Sequence, residues 1–247
     1  MYYTHRLKLS LLLLLFSSYT QPAQIINWLH DDVATFVKGS YKNFAAVGTC
    51  FAVSRYVAYD MSKELHKVQK SALLEHINFL EIGAGTGSLS EVFEQQLENL
   101  VKQNVIKSYA LVLVELEPIY IETLQKRFGS NPNVKIVCQD IAEWETDNQF
   151  DFIVSTLPWN SKFFTNDSVN QIQSKINEIL TKHGVYSFVE YSLFGKLSRL
   201  IRSNNQIENF ALKRQVVENM VEEQGYKHKL IWRNIPVPIH VYYLHKK

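Results

Sequence analysis

From residue 77 onward the chain alternates short apolar runs with longer stretches of helical period. Residues 77–81, 110–115, 134–138, 150–155 and 185–190 are brief runs rich in β-branched and other apolar side chains, and they read as strands. Between them, residues 89–101, 120–128 and 169–180 carry apolar positions at helical spacing. Strands that alternate with helices predict a parallel sheet covered on both faces. The C-terminal pattern differs. Residues 229–233 and 239–244 are strand-like and are separated by Pro236 and Pro238, which suits an antiparallel pair at the end of that sheet and brings the strands to seven. Upstream, residues 22–70 read as helical, with Ile26, Leu29, Val33 and Phe36 on one face. Gly39 and Gly48 divide this stretch into two or three helices.

At 247 residues the chain is long enough for one large α/β domain with a short extension. We place the extension, a helical lid, at residues 1–70 and the main domain at residues 71–247. With 46% hydrophobic and 20% charged residues the composition is that of a globular core. A formal net charge of only +2 provides no chain-wide basic field, so a nucleic-acid partner is not expected. Cys50 and Cys138 lack neighbours at metal-ligand spacing, so neither a metal nor a disulfide framework is expected. Near the N-terminus, Arg6 and Lys8 precede residues 9–16, an apolar run broken only by Ser10. That run falls well short of the ~20 residues that span a bilayer. It fits an interfacial helix continuing through Ile25, Ile26, Trp28 and Leu29, with a cleaved secretory signal as the alternative.

One turn carries chemistry. Phe79-Leu80-Glu81-Ile82 is a buried-strand signature, followed at once by Gly83-Ala84-Gly85-Thr86-Gly87. Glycines here let the backbone bend sharply and approach a ligand without Cβ clashes. Ser88 is placed to cap the helix that follows, with Glu91 at capping-box spacing. The G-x-G-x-G spacing departs from the dinucleotide fingerprint, and an acid at Glu81 fits a cationic ligand better than a pyrophosphate. The second strand ends in Glu115, next to Leu116, where a carboxylate can accept both hydroxyls of a ribose. The third ends before Asp140 and Ile141, a carboxylate and an apolar side chain suited to an adenine amino group and ring face.

Taken in order, Glu81 to Gly87, Glu115, Asp140 and then Phe150-Asp151-Phe152-Ile153-Val154-Ser155-Thr156-Leu157-Pro158-Trp159 resemble a class I methyltransferase. More narrowly, the chain resembles the bacterial phospholipid N-methyltransferases, relatives of the rRNA adenine dimethylases. Three segments carry the narrower likeness: residues 44–58, which include Ser54-Arg55-Tyr56; Ser155-Thr156-Leu157-Pro158; and Ile231-Trp232-Arg233-Asn234-Ile235-Pro236. Two features depart from the pattern. Ala52-Val53-Ser54 stands where the family carries Pro-Ser-Ser, and Thr156 stands where the dimethylases carry an asparagine that would accept from an adenine amine. The resemblance implies a Rossmann-like class I fold, with a mostly parallel seven-stranded sheet, an antiparallel C-terminal strand and an N-terminal helical extension. It implies S-adenosyl-L-methionine as cofactor, held by Glu81, Gly83, Ala84, Gly85, Gly87, Glu115, Leu116, Asp140, Ile141 and Ser155.

The same resemblance implies a phosphatidylethanolamine acceptor, methylated towards phosphatidylcholine by a cytoplasmic enzyme peripherally bound to the membrane. The acceptor side falls to Tyr56, Thr156, Leu157, Pro158 and Trp159, with Tyr191 and Glu190 as further candidates to assist loss of a proton. Pro158 and Trp159 could wall a pocket for a cationic headgroup. Contact with anionic lipid is expected from Lys38, Tyr41 and Lys42, and from residues 194–202, where Lys196, Arg199 and Arg202 recur every three residues. The rival readings are an RNA adenine methyltransferase, a small-molecule or protein methyltransferase, and a binding module that has lost turnover.

Overall fold

The computed structural model describes residues 53–159, 164–191, 221–222, 225–232, 234 and 238–246. The N-terminal apolar run, the Lys38–Lys42 stretch, the 194–202 helix candidate and Cys50 lie outside the described residues, as do Arg233, Ile235 and Pro236.

Within them, α1 (Arg55–Ala72) leads into β1 (His76–Ile82), α2 (Ser88–Lys102), β2 (Ser108–Glu115), α3 (Pro118–Phe128), β3 (Val134–Cys138), β4 (Phe150–Ser155), α4 (Asn166–Ile179), β5 (Leu180–Tyr191), β6 (Lys227–Ile231) and β7 (Ile239–His245). The seven strands form one sheet in the order β3-β2-β1-β4-β5-β7-β6. β7 is antiparallel to both neighbours, and β1 to β5 pair in parallel, as the alternating pattern predicts.

The central strands are apolar on both faces because both are covered. On one face Ile77, Phe79, Leu111, Leu113, Phe152 and Val154 pack with Val57, Met61 and Leu65 of α1 and Val92, Phe93 and Leu97 of α2. The rings of Phe79, Phe93 and Phe152 meet at centroid distances of 4.6 to 6.2 Å. On the other face Leu80, Ile82, Ile153, Tyr186 and Phe188 pack with Ile172, Ile176 and Ile179 of α4. Helix α1 crosses the 70/71 boundary drawn from the sequence, and its buried face belongs to the same core as the sheet.

Chain order reverses between β1 and β4. The chain moves outward from β1 to β3, then returns to the other side of β1. In an open α/β sheet such a reversal leaves a crevice outside the carboxyl ends of the strands, where ligands bind. The loop at residues 83–87 and the segment at residues 156–159 leave the sheet on the two sides of that crevice.

Candidate active site

Three of the loop's residues can take their conformation cheaply only as glycine. Gly83, Gly85 and Gly87 have φ of 77°, 56° and 84°. Backbone bonds tie the loop to both flanking strands: Gly83 N donates to Val114 O at 2.8 Å, and Thr156 N donates to Ile82 O at 3.0 Å. The Thr156 hydroxyl closes the crevice wall by donating to Gly83 O at 2.6 Å.

The glycines do different work. A Cβ on Gly85 would meet nothing within 4 Å, so the space beside it is open. One on Gly87 would lie 2.5 Å from Cε2 of Phe128, a buried ring of α3. Gly87 serves close packing, and Gly85 leaves room. Ala84 is buried against the α1 and α2 side of the core.

Two carboxylates stand under this loop. Glu81 is 1% exposed and accepts from the Ser90 hydroxyl at 2.7 Å. Burial pushes its carboxyl up to about 8, the neighbouring Glu115 adds to the rise, and the Ser90 hydrogen bond and Arg127 oppose it. A buried acid raised this far, beside a crevice, marks a candidate functional group.

Glu115 accepts three backbone N–H groups, from Gly85 at 2.7 Å on Oε2 and from Leu116 and Glu117 at 2.8 and 2.9 Å on Oε1. Burial also raises its pKa, against those three bonds. A carboxylate has about four lone-pair positions, so one remains, on Oε2. Acceptance of two ribose hydroxyls therefore requires the Gly85 N–H bond to be exchanged. Beside Glu115, Leu116 is 57% exposed, an apolar surface at the strand end. One oxygen of Asp140 accepts from Ala142 N at 2.9 Å and shapes the turn after β3, while Ile141 is buried in the core.

The remaining predicted residues divide between crevice and core. Leu157 and Pro158 are half-buried beside the loop. Ser155 is fully buried, and its Oγ accepts from Leu157 N at 3.3 Å, so it shapes the 156–158 turn from below. Trp159 is 3% exposed, with its ring 5.5 Å from Phe164 and 6.4 Å from Phe188. Tyr56 is 53% exposed at the start of α1.

The capping box read at Ser88 and Glu91 does not form. Gly87 is the N-cap, with no side-chain cap bond. Glu91 turns outward to take Arg55 of α1 at 2.7 Å and Arg127 of α3, and Arg127 also donates to Thr86 O at 2.8 Å. Two arginines outbid a backbone N–H for the same carboxylate, because charge-assisted pairs are roughly twice as strong. This clamp joins three helices to the loop. Arg127→Met is expected to cost about 2 kcal/mol through the bonds it removes, measurable as a lowered denaturation midpoint.

Sequence reasoning missed three contacts: Ser90 on Glu81, Arg127 on Thr86, and a hydrogen bond from Ser54 N to Asn234 Oδ1 at 2.9 Å. Only Ser90 carries a local signal, being one of two serines in the first turn of α2.

A family model described as a methyltransferase domain matches residues 79–184. A malonyl-[acyl-carrier protein] O-methyltransferase of Ilyobacter polytropus is 24% identical over 122 residues, 49% of this chain and 38% of that protein. A probable ribosomal RNA small subunit methyltransferase A of Methanosarcina barkeri is 36% identical over 81 residues, 33% of this chain and 24% of that protein. The chain thus spans well under half the length of these curated relatives. Among solved structures, that of a putative class I S-adenosylmethionine-dependent methyltransferase from Listeria monocytogenes superposes with a TM-score of 0.57 at 12% identity, covering 85% of this chain and 65% of that one. The fold is that of the class I methyltransferases, and the methyltransferase-domain model spans the glycine loop, Glu81, Glu115, Asp140 and the 156–159 segment.

Proposed function

We propose that this chain methylates the amine of phosphatidylethanolamine and of its partly methylated derivatives at a membrane surface. The observation that carries this reading is the Ser54–Asn234 hydrogen bond. It joins, across 180 residues, two of the three segments that carry the resemblance to the phospholipid N-methyltransferases. Asn234 is 1% exposed, whereas Trp232 and Tyr56, each two residues from the bond, are 73% and 53% exposed. Exposed tyrosine and tryptophan suit a lipid–water interface, since each has an apolar ring and a polar handle.

Glu81 would face the cationic end of the cofactor, Glu115 and Leu116 its ribose and base, and Asp140 its adenine amine. The open space beside Gly85 accommodates a ligand, so the residues present fit the group. Bound there, S-adenosylmethionine supplies a methyl group on a sulfonium, ready for transfer to a neutral nucleophile. The chain's own part is to orient the acceptor, exclude water and receive a proton. Thr156 speaks against a nucleobase acceptor, because it puts a hydroxyl, whose proton goes to Gly83 O, where the dimethylases carry an asparagine amide.

Incubating the protein with methyl-labelled cofactor and liposomes containing phosphatidylethanolamine should label the lipid, and ribosomal RNA should stay unlabelled. Label in RNA alone overturns the acceptor. Cofactor binding without transfer to any acceptor favours a binding module.

A further inference from the structure

The far end of β5 carries an acid that none of the cofactor contacts uses. Ser155, the last residue of β4, is level with Phe188, so Glu190 lies one same-face step beyond the end of β4, beside Thr156-Leu157-Pro158. The antiparallel partner β7 begins there, with His240 opposite Glu190 and Tyr242 opposite Phe188. Directly opposed residues of an antiparallel pair project from the same face. The Tyr242 hydroxyl donates to Glu190 Oε2 at 3.3 Å. Its ring is stacked on the fully buried Phe188, 4.7 Å between centroids, and on His228 at 5.6 Å. The carboxylate is therefore held at the crevice lip by a ring anchored in the core. Among the described residues of β5, β6 and β7 on this face, Glu190 is the one carboxylate.

We infer that Glu190 receives the proton of the acceptor amine, with Tyr242 as the residue that positions it. This rests on the amine-methylating reading above. An alkylammonium with a pKa near that of lysine, about 10.4, is almost wholly protonated at neutral pH and has no lone pair to offer. The N–H bond breaks with its electron pair left on nitrogen, the proton passes to a Glu190 oxygen, and solvent carries it away. The neutral amine is then ready for the methyl group. Among the described residues, the other titratable groups facing Glu190 are His228, His240 and Tyr242 on β6 and β7. Tyr186 and Tyr226 lie deeper, their hydroxyls pushed far up by burial. The buried face of α4 (Val169, Ile172, Gln173, Ile176 and Ile179) adds none.

The test compares the native protein with Glu190→Gln and Tyr242→Phe from pH 6.5 to 9.5. It uses phosphatidylethanolamine liposomes for turnover and calorimetry for cofactor affinity. Glu190→Gln should bind cofactor within about twofold of native. Its kcat should fall about 100-fold near pH 7 and recover about tenfold per pH unit as the free amine becomes available. Tyr242→Phe should lose several-fold in kcat with the same drift and an unchanged KM. A native kcat and pH profile in Glu190→Gln overturns the inference and leaves the acceptor reading standing, as does a uniform loss at every pH. Should Glu190→Gln fail to fold, the Tyr242→Phe profile decides. Failure of the native protein to methylate any amine removes the acceptor reading itself.

Discussion

Gly85→Val is expected to abolish S-adenosylmethionine binding and leave the protein folded, whereas Gly87→Val, two residues along the same loop, is expected to destabilise it sharply. Both positions have positive φ, so both variants carry backbone strain of about 1–2 kcal/mol. They differ in what the new atoms meet. At Gly85 the first added carbon has no neighbour within 4 Å, so the fold has room for it. That same room is what the proposed cofactor site needs beside Gly85, whose N–H is held by Glu115 Oε2. At Gly87 the added carbon falls 2.5 Å from Phe128 and 3.0 Å from Leu124, both buried. Forced overpacking of a core costs about 1–3 kcal/mol in addition to the strain. Thermal melts with and without S-adenosylhomocysteine separate the outcomes. Gly85→Val should melt within a few degrees of native and show no ligand-induced rise, and Gly87→Val should melt far lower. A ligand-induced rise in Gly85→Val would mean the cofactor lies elsewhere.

This contrast marks how far the sequence could be read. Short continuous apolar runs, set against helical periods of 3.6, placed the central strands to within a few residues, because strands buried on both faces must be apolar throughout. The glycine spacing located the loop, and Glu81 and Glu115 were legible as strand-end acids. Which glycine packs and which leaves room was not, since that depends on Phe128, 41 residues away in the chain. The surroundings of Trp159 were not legible for a similar reason: Phe164 and Phe188, which pack on it, come from other elements. Glu91 fitted a local capping rule and was claimed by arginines from α1 and α3. The Ser54–Asn234 bond has no sequence signature of its own. Only the likeness of both segments to one family suggested that they belong together.

Glu81→Gln should make the ligand-free protein more stable in alkaline solution and destroy cofactor binding. An acid whose folded pKa is raised binds a proton on folding, so it favours the folded state fully below its ordinary value of 4.5. That advantage is lost as pH rises from 4.5 to about 8, because the unfolded chain ionises first, and it levels off above. Over that window the native protein gives up on the order of 5 kcal/mol through this one group. Glutamine does not titrate and its carbonyl can still accept from Ser90, so the variant should lack that part of the slope. Urea melts at pH 5 and pH 9 test it: the gap between native and variant should open in the variant's favour at pH 9. Binding of a cationic cofactor against Glu81 should reverse the balance, lowering its pKa and releasing its proton. Calorimetry near pH 7 in buffers of different ionisation enthalpy should detect release approaching one proton per ligand bound by the native protein. An affinity for cofactor in Glu81→Gln equal to that of the native protein would show that the buried charge serves something other than the methyl donor.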